Sequence, residues 1–281
     1  MPPGPYQRVE GPRPSAPPFG LVASATNVIE PDSRWENGIV IDRYPCGTSS
    51  GFDECADDSP PKESGGEPSP LPQPEFRALT VYHADSCSSI GLGPTREFTQ
   101  RLELLLESTQ HRTIEREFED GAITGNPALR DPTATVLNLG NPTDIISGLA
   151  FLEQAIADSG RSGFIHVPVA SFVWMSRLGL LTRDSLGRMR TPGGNIVVRG
   201  TGYTGLPPVG QPPLAAGEEF LYATGPVEIR MSGIEIMPRT ISEALDRAEN
   251  RVVFRAERRV ISAWDLCLHA AVRVDLCIAG L

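Results

Sequence analysis

The segment GPTREFTQRLELLLESTQHRTIEREFEDG, residues 93–121, most constrains what this chain can fold into. It opens on Gly93-Pro94, a helix-start signal, and closes on Gly121. Between them Phe98, Leu102, Leu105, Leu106, Thr109, Ile114 and Phe118 recur at three- and four-residue steps, a partly apolar stripe on a helix otherwise crowded with Glu and Arg. A helix of about 25 residues runs about 37 Å at 1.5 Å per residue. That is long for the domain available, so it must lie along something extended. The acidic run Glu115, Glu117 and Glu119 near its end reads as a solvated or subunit-facing surface.

Prolines set the boundary upstream of this helix. Fifteen of the 27 fall in residues 1–74, with eight glycines and a local charge of -6 from five basic and eleven acidic residues. Residues 1–34 have Pro clusters and no apolar periodicity, and read as an extended arm without a core of its own. Such an arm is either a disordered tail or a strap that lies on something else. Asn37–Ile41 and Phe76–Tyr82 have strand character, and about thirty residues rich in Pro, Gly, Ser and Asp separate them. Two strands with so long a polar excursion suggest a protruding hairpin-like arm.

The remainder is richer in regular elements. NPTDIISGLAFLEQAIADSG predicts a helix capped near Thr143 or Asp144 that buries Ile146, Leu149, Leu152 and Ile156. Gly163–Val167 predicts a strand, VASFVWMSRLGLL a Pro-started helix, and Asn195–Val198 another strand, followed by the loop GTGYTGLPPVGQPPLAAG. Interleaved strands and helices make residues 143–215 an α/β unit, with a net charge of +2. The C-terminal stretch returns to β: Phe220–Thr224, Val227–Met231, a short helical piece ISEALDRA, then Arg251–Val260 and HAAVRVDLCI. The alternation in the last two predicts long antiparallel partners with one buried face.

Whole-chain composition excludes several classes. With 281 residues, 40% hydrophobic and 21% charged, and a mean hydropathy of -0.17, the chain has enough apolar content for one or two folded domains. No stretch approaches the ~20 apolar residues of a membrane span. The start, Met-Pro-Pro-Gly-Pro, lacks a secretory signal. A net charge of -10 argues against a dedicated nucleic-acid binder. Cys46, Cys55, Cys87, Cys267 and Cys277, without an export signal, read as free thiols of a reducing cytoplasm.

Motifs for chemistry are weak. Gly200-Thr201-Gly202-Tyr203-Thr204-Gly205 matches G-x-G-x-x-G after a strand, but Leu206-Pro207-Pro208 follows where a phosphate-facing helix would start, so it reads as a loop and implies no cofactor. Cys46, Cys55, His83 and Cys87 have spacings that fit no compact zinc site, and no metal is expected. There is no G-x-S-x-G or H-E-x-x-H, and His83, His111, His166 and His269 stand in unrelated contexts, His166 and His269 reading as core-edge residues. No catalytic residue is assigned, and nothing argues for an enzyme.

The order of parts is informative where single motifs are not. A Pro-rich arm, a long excursion between two strands, a long charged helix, a compact α/β unit and C-terminal strands follow one another. This order resembles the HK-97-like major capsid proteins of tailed phages, a fold shared with encapsulins. VVFRAERRVISAWDLCLHAAVRVDL (252–276) is similar to that family's C-terminal strand, break and final strand. NIVVRGTGYTGLPP with EEFLYATGPVEIR is similar to its axial loop and return strand. The resemblance implies an α+β fold divided into an extended N-arm (1–34), an extended E-loop with a Pro/Gly-rich tip (35–82), a peripheral domain with the spine helix (83–142), an axial domain (143–217) and returning peripheral strands (218–281).

It also implies a structural protein that assembles with itself, as pentamers and hexamers, into an icosahedral phage head. Scaffold and portal proteins would be partners, double-stranded DNA would be enclosed without sequence-specific binding, and assembly would take place in the host cytoplasm without a membrane. An arm, a protruding loop and a helix too long for its core fit a subunit stabilised by neighbours. No acidic coiled-coil scaffolding segment precedes the arm, which departs from many members. Some relatives join an E-loop lysine to a neighbour's asparagine, assisted by a glutamate. Lys62, the only lysine, with Asn250 and Glu257 would take those roles here, against the plainer reading of a solvated lysine. Two alternatives stand beside this one: an encapsulin-like compartment, and a small-molecule-binding or enzymatic α/β domain with a disordered N-terminal third.

Overall fold

The computed structural model describes residues 12–25, 33–41, 46, 74–87, 96–239, 244–246, 249 and 251–277. In chain order the first elements are α1 (Leu21–Ser24), β1 (Ile39–Val40), β2 (Glu75–Phe76), β3 (Leu79–Cys87) and α2 (Arg96–Asp120). Then come β4 (Thr135–Val136), α3 (Ile145–Asp158), β5 (Phe164–Val167), α4 (Val169–Arg177), β6 (Thr182–Arg183), β7 (Met189–Arg190) and β8 (Ile196–Arg199). The chain ends with β9 (Glu218–Thr224), β10 (Val227–Met231), β11 (Glu235–Met237), β12 (Leu245–Asp246), β13 (Arg251–Trp264) and β14 (His269–Asp275).

The fourteen residues of β13 organise one sheet. β3 pairs antiparallel along Val252–Val260, and β10, β11 and β12 pair with successive stretches of the same strand. Because Val252, Ala256 and Val260 each face β3 and one of the short strands, those three must lie end to end on the opposite edge. The second sheet is mixed, in the order β4-β14-β9-β5-β8-β7-β6. Strand alternation makes it the wall between two cores. Phe164, Ile196, Val198, Phe220, Tyr222 and Ala271 face one core, while Ile165, Val197, Leu221, Ala223, Val272 and Val274 face the other. Helix α3 covers the second core with Ile145, Leu149, Leu152 and Ile156, its N-terminus capped by Asp144, which accepts from the Ile146 and Ser147 amides at 2.9 and 3.0 Å.

The long helix α2 spans 25 residues, as its pattern predicts, and lies against β3 and β13. Leu102, Leu106, Ile114 and Phe118 are buried as expected. Thr109 is exposed, and Gln110 and His111 turn inward in its place.

Several expectations are corrected. β13 and β14 are not partners: the first belongs to the β3 sheet and the second pairs with β9. Residues 265–268 cross between the sheets beside the Gly225-Pro226 crossing, held by Gly225 N–H donating to the Leu268 carbonyl at 3.3 Å and Asp265 N–H donating to the Pro226 carbonyl at 3.1 Å. Alternation encodes which face is buried and not which strand lies alongside. Within ISEALDRA, Leu245–Asp246 form strand β12 against β13 rather than helix. Ile146 is half exposed, one residue off the buried α3 face. Cys46 and Cys267 are not free thiols but form a disulfide across a sequence separation of 221 residues, with Cα atoms 5.2 Å apart. Cys277 is an exposed free thiol.

Candidate functional site

The acidic run on α2 is the centre of the structure's polar architecture rather than a solvated face. Glu115, Glu117 and Glu119 are 0%, 7% and 1% exposed, which corrects the surface reading outright. Buried carboxylates need donors, and each of these has them. Glu117 accepts from the Ile123 and Thr124 amides at 3.0 and 2.7 Å and from the Thr124 hydroxyl at 2.7 Å, closing the turn after the helix. Glu115 and Glu119, one turn apart on the helix, reach across to the Gly200–Gly205 loop. Glu115 Oε2 accepts from the Gly202 amide and the Thr201 hydroxyl, both at 2.9 Å. Glu119 accepts from the Thr204 and Gly205 amides at 2.8–3.0 Å and from the Thr204 hydroxyl at 2.8 Å.

The glycine-rich loop is therefore an anion cradle, and the anions it holds are the protein's own side chains. Gly202 is required by proximity: a Cβ there would lie 2.3 Å from the Arg112 carbonyl oxygen and 2.7 Å from the Arg116 nitrogen, both backbone atoms of α2. The loop meets the helix backbone to backbone. Burial pushes both carboxyl groups above their usual range, and the hydrogen bonds from the loop oppose that rise. Both halves of this joint stand in the sequence, and nothing in their spacing connects them. The signal lay in a loop rich in backbone N–H donors with no ligand to receive them, and in a helix with carboxylates four residues apart.

The loop is anchored from beneath by Tyr203. His166 Nδ1 lies 3.0 Å from the Tyr203 hydroxyl, and His166 Nε2 lies 2.8 Å from the Thr224 hydroxyl. Thr224 donates its proton to the Gly225 carbonyl at 3.0 Å, so Nε2 must be the protonated nitrogen and Nδ1 accepts from Tyr203. Burial, followed by the neighbouring His269, lowers the His166 pKa to about 3. The triad is a satisfied structural network: the expected core-edge histidine sits fully inside, between two sheet neighbours and Phe118, whose ring centroid is 5.2 Å away.

The N-terminal arm meets the same joint. Leu21 is fully buried and its amide donates to Glu115 Oε1 at 3.0 Å. The Arg199 guanidinium stacks 3.2 Å from the Phe19 ring centroid and 5.2 Å from that of Phe172. Residues 19–24 thus lie as a strap, one of the two states the sequence allowed.

The residues considered for crosslinking and metal binding fare differently. Lys62 and Asn250 lie outside the described residues. Glu257 stands on β13 with its carboxylate 2.6 Å from Arg255 Nε and its side chain 14% exposed. Of the zinc candidates, Cys46 is in the disulfide, Cys55 lies outside the described residues, and His83 and Cys87 are on β3. Among the described residues no group of three or more His, Cys, Asp or Glu could hold a metal ion. No described helix is long and apolar enough to cross a membrane.

No family model matches the sequence, and no curated protein does. Solved structures match over nearly the whole chain. The capsid of an empty GTA particle is 14% identical, with 98% of this chain and 95% of that one covered at a TM-score of 0.56. The capsid of the native GTA particle covers the same shares at 12% identity and a TM-score of 0.56. A structure of Mycobacterium phage Cain is 11% identical over 95% of this chain and 92% of that one, at a TM-score of 0.54.

Proposed function

We propose that this chain, whose α+β architecture is the HK-97-like capsid fold, is a structural shell subunit, the major capsid protein of a tailed-phage head. The observation that carries the reading is the extent of the match. It takes in 98% of this chain and 95% of a GTA capsid chain, and not the α/β unit alone. A ligand-binding α/β domain with an appended tail would match over its compact part only. The joint between α2 and the glycine-rich loop supports the same reading, because its polar groups are consumed by one another: the loop amides by glutamates and the imidazole by two hydroxyls.

In this reading residues 1–34 are the N-arm, 35–82 the E-loop, 83–142 the peripheral domain, 143–217 the axial domain and 218–281 the returning strands. The subunits assemble as pentamers and hexamers, with scaffold and portal proteins as partners, and enclose double-stranded DNA without reading its sequence. The chain works without a catalytic residue or cofactor, assembles in the host cytoplasm and ends in the virion. Light-scattering mass with negative-stain images of the purified chain tests this, and rings of five or six subunits or closed shells are the expected result. A persistent monomer that loses its first 75 residues to protease, while the remainder binds a small ligand, overturns it.

An isopeptide bond between subunits belongs to the same proposal. Lys62 Nζ would attack the Asn250 carboxamide of a neighbour, forming a new amide and releasing ammonia, with Glu257 taking up the proton. Assembled wild-type particles then run as covalent ladders on a denaturing gel, and Lys62→Arg particles run as single chains. Ladders that persist in Lys62→Arg, or their absence from the wild type, dismiss the crosslink without touching the shell reading.

A further inference from the structure

One carboxylate on α2 is shared by two segments far apart in the sequence, the N-terminal arm and the glycine-rich loop. Glu115 accepts from Leu21 of the arm through Oε1, and from Thr201 and Gly202 of the glycine-rich loop through Oε2. Glu119, one turn further on, holds Thr204 and Gly205 of the same loop, and among the described residues its hydrogen-bond donors all come from that loop. We infer that the arm is a conformational strap: its docking on Glu115 and the closure of the joint between α2 and the loop are one coupled event, relayed by that side chain.

The physical basis is the cost of a half-satisfied buried carboxylate. Glu115 is fully buried, and each oxygen has its own donors. Withdrawing the Leu21 amide leaves Oε1 short of a partner and opens a path for water, which then competes for Oε2 as well. Coupling of this kind is reciprocal, so a looser loop must also weaken the arm. The arm's own chemistry fits a seat of fixed shape. Gly20 has φ +115, a backbone conformation that favours glycine, and a Cβ there would fall 2.3 Å from Glu115 Oε1. Arg199, at the end of β8 just before the loop, stacks on Phe19, so strand, loop and arm converge on the same point. The inference concerns a single chain and goes beyond the shell reading, whose failure would leave it intact.

Site-resolved amide hydrogen exchange on the full-length unassembled chain tests it. Leu21→Ala removes the buried side chain that seats the arm, keeps the backbone amide of residue 21 and puts no new atom against Glu115. The expected result is exchange about tenfold faster at the amide of residue 21 and at Gly202, with Thr204 and Gly205 unchanged because Glu119 still holds them. Glu115→Gln places an amide N–H₂ against a donor on one side or the other. Both Leu21 and Gly202 are again expected to exchange faster, since either loss propagates. Faster exchange at residue 21 alone in Leu21→Ala would show that the arm is a passenger, and would overturn the inference. Equal acceleration at Gly202, Thr204 and Gly205 would also overturn it, because that is general loosening without a relay through Glu115.

Discussion

Replacing Cys267 with serine lowers the unfolding free energy of the unassembled chain by several kcal/mol and shifts its urea midpoint accordingly. The bond to Cys46 closes a loop across 221 residues of sequence. Chain entropy alone assigns such a loop about 5 kcal/mol at 25 °C, of which real proteins keep part. The position adds to the effect. Cys267 sits in the crossing between β13 and β14, where its amide donates to Asp265 Oδ1 at 3.0 Å and Asp265 in turn pairs with Arg161 at 2.6 Å. Cys46 lies six residues beyond Val40, after the short β1–β2 pairing of Ile39 with Phe76. The disulfide therefore ties the base of the long excursion to the point where the chain passes from one sheet to the other. Cys46→Ser is expected to have the same effect, and the double substitution no more than either, because one bond is lost in all three. Reducing the wild type with dithiothreitol reproduces the loss, and the serine variants do not respond. Identical midpoints for oxidised and reduced wild type would show that the bond contributes nothing.

This bond also marks where sequence reasoning stops. Spacing along the chain relates Cys46 to Cys55 and Cys267 to Cys277, whereas the partner that matters is 221 residues away and meets it only after both sheets have formed. The long helix was legible because its signals are local: a Gly-Pro start, a Gly stop and apolar residues at helical steps. The strands Phe220–Thr224, Val227–Met231 and Arg251–Val260 were legible for the same reason, whereas one buried face was expected where β14 buries both, in the wall between two cores. Pairing was not, since Arg251–Trp264 and His269–Asp275 carry the same alternation whether they are neighbours or belong to different sheets. Glu115 and Glu119 were misplaced by a rule that is right for most charged residues. It fails here because six hydrogen bonds from one loop replace the water each carboxylate gives up. The α+β capsid fold was readable at low sequence identity because chains with different residues can share element order and patterning.

Acid will weaken the folded chain through His166, and the sign follows from its surroundings. In the unfolded chain the imidazole takes up a proton near pH 6.5, whereas in the folded protein it remains neutral until about pH 3. A base whose folded pKa is depressed contributes stability that is fully present above its unfolded value and is lost as pH falls below it. Each pH unit between 6.5 and 3 thus removes about 1.4 kcal/mol, or about 3 kcal/mol by pH 4.5. The cause is burial, which withdraws water from the charged ring, and the neighbouring His269 adds to it; within the site Nδ1 is occupied as the acceptor from Tyr203. His111 and His269, also lowered by burial, act in the same direction. Glu115 and Glu119 act in the opposite one, because a carboxyl raised in the folded state gains stability as it protonates. The total pH profile is therefore a sum of opposing contributions, and the His166 share is read as a difference. His166→Gln keeps an acceptor for Tyr203 and a donor for Thr224 but does not titrate. Denaturation of both proteins at pH 7 and pH 4.5 is expected to show the loss on acidification smaller by about 3 kcal/mol in the variant. Equal losses in the two proteins would mean that His166 takes up its proton in the folded state, and that the Tyr203–His166–Thr224 network opens before the fold does.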